Sequence, residues 1–457
     1  MRGEGTMRLY KENERVVYIG DTMEHLSWGW VQFPKLYPMK NGNIGMYIHD
    51  DDDSWVCLDG DTAGKWLVTE DDGISWRPAT KEDKDMMGTQ LPNGDVLRSM
   101  PNPPESLTGV EDAPWSFATY HLPTDHLIPQ KPEDQNQLPF PITTYSDIFG
   151  SRYRVYWLDS IHDHMIEKRF CFHRLKHGEI AGGKVYAEVD WNYRTTVSFP
   201  PSHASRKDLE SVMLNNAGLY TCRDVKVAPD GSLFIAHYRG NGANPFTGVY
   251  EGTTNAYILH SDDNGETWQL RGYIPYKEPD EEHDVFAHLK SGFSEPNLAF
   301  MPDGSILCIL RTCDVFRGAP EWGPTYLSRS EDNGYTWSKP EFFRDRGALP
   351  QLLQLDNGVT LAVITRPGIY VYASCDCGHT WTDAIEVMTD ADRSVLANDP
   401  PARPNFHQWA GSCCNCTILP TAENRALLAF SDFYVADDAG VKHKGIKTIE
   451  IVADLDA

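Results

Sequence analysis

Apolar runs interrupted by Asn-Gly or Asp-Gly pairs recur along this chain. The pairs are Asn41-Gly42, Asp230-Gly231, Asp303-Gly304 and Asn357-Gly358, each flanked by apolar stretches. Such dipeptides join adjacent antiparallel strands through a tight turn. Each is followed, after a looser connection, by a second signal of fixed form. The first copy reads Thr69-Glu70-Asp71-Asp72-Gly73-Ile74-Ser75-Trp76; the others are SDDNGETW at 261–268, SEDNGYTW at 330–337 and SCDCGHTW at 374–381. The shared form is Ser/Thr-x-Asp-x-Gly-x-Thr/Ser-Trp. Its Asp accepts hydrogen bonds from backbone N–H groups of its own turn, Gly supplies positive φ, and the hydroxyls tie down the flanks. Trp carries a large apolar ring into the seam beside the turn. Each unit therefore reads as strand, tight turn, strand, looser connection, strand, motif turn, strand. Four copies in one chain predict a repeat architecture, in which each four-stranded unit buries its face against its neighbours.

Counted this way, units fall at about 28–80, 218–275, 291–344 and 346–390. A last unit, about 405–456, has its first hairpin at 412–432 and lacks the motif turn. Another begins at Leu91-Pro92-Asn93-Gly94 and occupies part of 85–215, with long insertions at about 101–215. Within it, 101–145 is rich in Pro and polar residues and reads as loop. Strands are predicted at 152–157 and 184–191, and a short helix at 205–215. An early strand at 15–19 is predicted to pair with the last unit and close the ring, which removes an exposed edge. The count is six units, or seven if 80–215 holds two. At 457 residues, length alone suggests two or three domains, but a ring of such units is one large domain.

The eight-residue form is the Asp-box, and from Trp28 to the C-terminus the chain resembles the sialidase superfamily of β-propellers. The resemblance implies an all-β fold: a six-bladed β-propeller of four-stranded antiparallel blades, one domain over 1–457, with insertions in blade two. The same box occurs in non-enzymatic propellers, so it speaks for fold more than for activity.

Charge narrows the partners. With 41 basic and 66 acidic residues the formal net charge is −25, which argues against nucleic acid or an anionic membrane. A small anionic ligand held by a local Arg cluster remains compatible with that charge. No apolar run approaches the ~20 residues of a membrane span. Residues 1–20 lack the apolar core of a signal peptide, so a cytoplasmic location is expected, or a secreted one if a signal has been removed. Ten Cys in this length do not make a disulfide scaffold. Cys375, Cys377, Cys413, Cys414 and Cys416 form no CxxC pair, and the first two sit in a motif turn, so buried reduced thiols are expected. His162 and His164, on one face of a strand, read as a satisfied surface pair. Neither a metal nor a cofactor is expected.

Topology locates the chemistry. If the Gly turns lie on the bottom face, residues seven or eight places after each turn Gly lie on the top rim, around a central funnel. These are His49 and Asp50, Tyr238 and Arg239, Arg311, and Arg366, with Asp432 from the last unit. The motif turns fall on the bottom and are structural. Polar groups converging at the mouths of apolar strands predict a ligand pocket.

Ser294-Glu295-Pro296-Asn297, followed by Asp303-Gly304 and Arg311, resembles the sialidase segment that supplies a Glu and one Arg of a carboxylate-binding triad. The resemblance implies that Glu295 polarises a Tyr nucleophile and that Arg311 forks onto a sugar carboxylate. Arg366 resembles the third triad Arg. Where the family's first Arg precedes a Pro, this chain has Val31-Gln32-Phe33-Pro34, so Gln32 can donate a hydrogen bond but cannot pair charge. Where the family's Tyr falls, near Cys413, the segment Gly411-Ser412-Cys413-Cys414-Asn415 has none. Asp50, Asp51, Asp52, Asp53, Asp59 and Asp61 compete for the acid/base role.

Three readings follow. The first is an exo-acting glycoside hydrolase on a terminal acidic sugar of a glycan, its acid among 50–61 and Glu295 or Asp432 activating water. The second is a polysaccharide lyase on uronates, with Arg311 and Arg366 neutralising the carboxylate and His49 or Tyr238 removing the α-proton. The third is a glycan-binding propeller without chemistry.

Overall fold

The structure is a computed structural model. It describes residues 7–20, 30–50, 64–99, 225–239, 253–276, 292–312, 323–366, 368–389 and 415–455, with Asp280, Glu282, His283 and the backbone of short strands at 116–198, 242–243 and 250–251.

The hairpins take a form set by their glycines. Gly42, Gly94, Gly231, Gly304 and Gly358 have φ between +86° and +92°, whereas the Asn or Asp before each does not. Each Gly N–H donates to the carbonyl three residues back, at 2.9–3.0 Å. This is a type I turn closed by one left-handed residue; the mirror turn usual for Asn-Gly would need two. The Asn or Asp fixes the turn by accepting at Oδ1 from the backbone N–H two residues on, at 2.9–3.1 Å.

The fold is an all-β propeller of antiparallel four-stranded sheets. One sheet holds Gln32–Pro38, Ile44–His49, Gly64–Thr69 and Arg77–Pro78. A second holds Phe293–Phe300, Ile306–Thr312, Thr325–Ser330 and Glu341–Arg344. A third holds Gln351–Gln354, Thr360–Thr365, Ile369–Ser374 and Ile385–Met388. The closing sheet joins Cys416–Ala422, Arg425–Ala436 and Lys442–Leu455 to Met7–Ile19, which pairs antiparallel with the C-terminal strand from Met7↔Leu455 to Ile19↔Gly445.

The count differs from expectation: the described residues form five propeller sheets, not six. Within the stretch expected to hold a separate second blade, Thr89–Gln90, Val96–Ser99, Phe170–Leu175 and Val189–Ser198 are hydrogen-bonded into one eight-stranded sheet with Thr267–Ile274, Asn255–Ser261, Leu233–Arg239 and Lys226–Val227. The join is a parallel pairing, Thr196↔Thr267 to Ser198↔Gln269. A strand edge left open by long insertions thereby meets another strand instead of water. Part of 101–145, expected to be loop, is strand: Ser116–Thr119 and Thr143–Ser146 flank Arg152–Tyr156 in a small sheet. The helix expected at 205–215 lies outside the described residues. A helix that sequence reading missed, Lys81–Met86, is fixed by a capping box between Thr80 and Asp83. Asp83 also holds Arg77 at 2.5 Å, and that bond, against burial, keeps its carboxyl below the usual range.

The apolar core lies in the seams between sheets. Leu361, Val363 and Val371 pack against Ile418, Leu428 and Ile451, and similar clusters fill the other seams. The four motif turns sit at these seams. In each, the Ser or Thr hydroxyl bonds the Asp at 2.7–2.9 Å and accepts from the Gly N–H at 2.8–2.9 Å. The residue before each Gly, namely Asp72, Asn264, Asn333 or Cys377, also takes positive φ. Asp and Asn tolerate that region well; Cys377 is the unusual occupant. Trp76, Trp337 and Trp381 enter inter-sheet clusters, while Trp268, completely buried, packs with Leu97 and Leu233 between strands of the eight-stranded sheet.

Side chains staple neighbouring inner strands at one level. Asn297 Oδ1 accepts from the Leu352 N–H at 2.9 Å, and Gln351 bonds both the Cys416 carbonyl and the Ile418 N–H. Thr417 Oγ1 then donates to the Pro34 carbonyl at 2.7 Å. These links run from the second sheet, through the third and closing sheets, to the first.

Candidate active site

A bulge repeated in the inner strands builds the rim. In the second sheet, register slips between Ser294, opposite Arg311, and Asn297, opposite Ile309. In the first sheet it slips between Gln32, opposite His49, and Lys35, opposite Tyr47. The extra residues are Glu295-Pro296 and Phe33-Pro34, and the third sheet has Leu349-Pro350 just ahead of Gln351. Phe33, Glu295 and Leu349 have φ of +50°, +48° and +42°. Positive φ in a bulky residue ahead of proline is strained, and such strain gathers where side-chain aim matters. A sequence signal for the bulge exists: Pro34, Pro296 and Pro350 each lie eight residues before a turn glycine. Sequence reading did not use that regularity.

Register now makes His49, Arg311, Thr365 and Asp432 counterparts, each two residues beyond the partner of the same inner-strand position. Arg311 Nη1 meets Glu295 Oε2 at 2.7 Å, and the Leu349 N–H donates to the same oxygen at 2.6 Å. Both side chains are largely buried, at 5% and 15% exposure. One carboxylate thus joins a first strand, a second strand and the entry to the next sheet. The Thr365 hydroxyl donates to the Ala348 carbonyl beside that entry. Arg366, at φ +53° and buried, follows directly and donates from Nη2 to Asn415 Oδ1 at 3.2 Å. The structure therefore brings Glu295, Arg311 and Arg366 to one continuous stretch of rim. Asn415 and Leu349 belong to it and were missed; a neutral amide and a backbone N–H give no signal in sequence.

Gln32 is completely buried opposite His49, which is also buried. The Phe33 ring meets the His49 imidazole edge-on, with centroids 5.7 Å apart. Asp50 faces Lys65 at 3.3 Å. Asp432 Oδ2 binds Lys447 Nζ at 2.8 Å, and Lys447 also reaches Glu14 of the closing strand at 3.0 Å. Burial opposes the lysine's charge, but hydrogen bonds to the two carboxylates outweigh it and raise its pKa. Asp432 is thus joined to the closing strand's network. Tyr238, one residue before the end of its strand, has its ring stacked beside His237. Arg239 is the last residue of that strand. Asp59, with 51–53 and Asp61, lies outside the described residues, as do Cys413, Cys414, His162 and His164. Among the described residues no cluster of three or more His, Cys, Asp or Glu is placed to hold a metal ion. Neither Cys416 nor Cys375 is in a disulfide; Cys416 is buried as expected, but Cys375, in the motif turn, is exposed, and burial foremost raises the thiol pKa of Cys377.

No family model matches the sequence, and no curated protein matches it. Solved structures do. A protein of unknown function from Dyadobacter fermentans aligns over 97% of this chain and 99% of its own, at 15% identity and a TM-score of 0.53, which shows a shared fold. A Penicillium chrysogenum α-L-arabinanase complexed with arabinobiose aligns over 96% and 98%, at 8% identity and a TM-score of 0.43. The NanB sialidase of Streptococcus pneumoniae aligns over 97% of this chain and 70% of its own, at 11% identity and a TM-score of 0.46.

Proposed function

We propose that this propeller is an exo-acting glycoside hydrolase that takes a terminal, acidic sugar of a glycan. The observation that carries the reading is the buried Glu295–Arg311 pair, set in a strained bulge and connected through Leu349, Ala348 and Thr365 to Arg366. Two guanidiniums on one rim suit a carboxylate, because their planar donor forks match its geometry. In this reading Arg311 and Arg366 bind the sugar carboxylate, and Gln32, Arg239, His49 and Tyr238 contact its other polar groups. Hydrolysis also needs an acid to protonate the leaving oxygen and a base to activate water. Asp50 and Asp59 are the candidates for the acid, Glu295 and Asp432 for the base.

One observation favours a second reading, glycan binding without chemistry. Glu295, Asp50 and Asp432 are each already engaged by a cation of the protein, which suits positioning better than proton delivery. Incubation with chromogenic sialosides, other aryl glycosides and uronate polysaccharides separates the possibilities. Aglycone release supports hydrolysis, and an unsaturated product absorbing in the ultraviolet would replace it with lysis. Binding without turnover would leave recognition alone.

A further inference from the structure

Blade symmetry places an unlike pair where the charged pair stands. In the first sheet Gln32, Phe33, Pro34 and Lys35 occupy the register of Ser294, Glu295, Pro296 and Asn297 in the second, and His49 occupies that of Arg311. The backbone repeats too, since Phe33 and Glu295 share the same left-handed φ ahead of a proline. Contact across the bulge also repeats: Phe33 meets His49 edge-on at 5.7 Å, as Glu295 meets Arg311 at 2.7 Å. The inner strands carrying the two bulges are tied at one level through Asn297, Gln351 and Thr417, the last bonding the carbonyl of Pro34 itself.

We propose that Phe33, backed by His49, is an aromatic subsite for the apolar face of the sugar ring whose carboxylate Arg311 and Arg366 bind. This rests on the glycan reading above. A bulky side chain in left-handed backbone is held there at an energetic cost, and packing alone can be met by residues in relaxed backbone. The Phe33 ring is only half-buried, so it is not core. A sugar presents axial C–H groups on one face and hydroxyls at its edge. An aromatic wall on one side of a funnel and a charged pair on another match those two surfaces, in the manner of sites lined by rings with few polar groups. The subsite selects for a ring with an unobstructed apolar face, whereas the arginines select for charge.

The test is calorimetric titration of the full chain and its variants with free N-acetylneuraminic acid, glucuronic acid and galactose, melting temperature being recorded for each protein. Phe33→Ala should weaken binding of the preferred acidic sugar about tenfold, Phe33→Trp should retain it, and Phe33→Leu should behave like Ala, because it restores bulk without a ring face. Full rescue by Leu would make Phe33 a packing residue and overturn the subsite. Affinity within twofold of wild type in Phe33→Ala would do the same. If Phe33→Ala fails to fold, the comparison of Leu with Trp decides alone. Binding by wild type of none of the three sugars would overturn the subsite together with the reading beneath it, whereas failure of the variants alone leaves that reading standing.

Discussion

Asp332 accepts from the Thr336 backbone and hydroxyl at 2.8 and 2.6 Å and from Ser330 at 2.9 Å. Burial raises its pKa, but these bonds outweigh it and leave the carboxyl below its ordinary value. Asp332→Ala should lower stability by about 1–2 kcal/mol in urea unfolding while ligand affinity stays unchanged, since the turn lies at the face away from the rim. At the rim the expectation inverts. Arg311→Ala should weaken an acidic sugar by ~2–5 kcal/mol, part of it from leaving Glu295 without its cation, and Arg311→Lys should not restore affinity, because an ammonium cannot reproduce the fork. Calorimetry with the preferred sugar checks both. His260, almost fully buried, has its pKa pushed down to about 4, first by burial and then by Arg271, against the pull of Asp262 and Asp230. The unfolded chain takes up that proton near pH 6.5 and the folded one resists it, so stability is complete above this value and falls as pH drops toward about 4. Urea midpoints at pH 7.5 and 5 should differ less in His260→Asn than in wild type.

At the scale of elements the bulges matter most. Leu349 is held at φ +42° ahead of Pro350, whereas Leu361 sits fully buried within a regular strand. Glycine adopts positive φ without clash, so relief of ~1–3 kcal/mol of strain partly offsets the lost side chain in Leu349→Gly. That variant should be several kcal/mol more stable than Leu361→Gly in parallel unfolding curves; equal losses would show Leu349 to be unstrained. Hairpins and motif turns were legible in the sequence because their information is local: one Gly, one Asx and two hydroxyls specify each. Glu295, Arg311 and Arg366 were legible through register counted from those glycines. The Phe33–His49 pair was not, since nothing marks a pair by its lack of charge. Nor was the eight-stranded sheet, because Thr196↔Thr267 pairs backbone atoms far apart in sequence and leaves no trace in side-chain pattern.

For the whole molecule, what holds the ring shut is the antiparallel pairing of Met7–Ile19 with Lys442–Leu455, reinforced by Glu14 and Asp432 on Lys447 and by Glu12 and Glu450 on Arg425. Removing residues 1–19 should expose the outer edge of the closing sheet and shift the protein toward aggregates in size-exclusion chromatography, because an unpaired strand edge templates further pairing. The same pairing has a temporal consequence. Met7 and Leu455 are brought together from opposite ends of the chain, and contacts of such sequence separation form after local hairpins have reduced the entropy of closing the loop. During synthesis Met7–Ile19 is made well before Lys442–Leu455, and it waits unpaired until that partner has left the ribosome. In pulse-labelled hydrogen exchange during refolding, amides of 7–19 should therefore gain protection after those of 306–312, although both end in the same native ring.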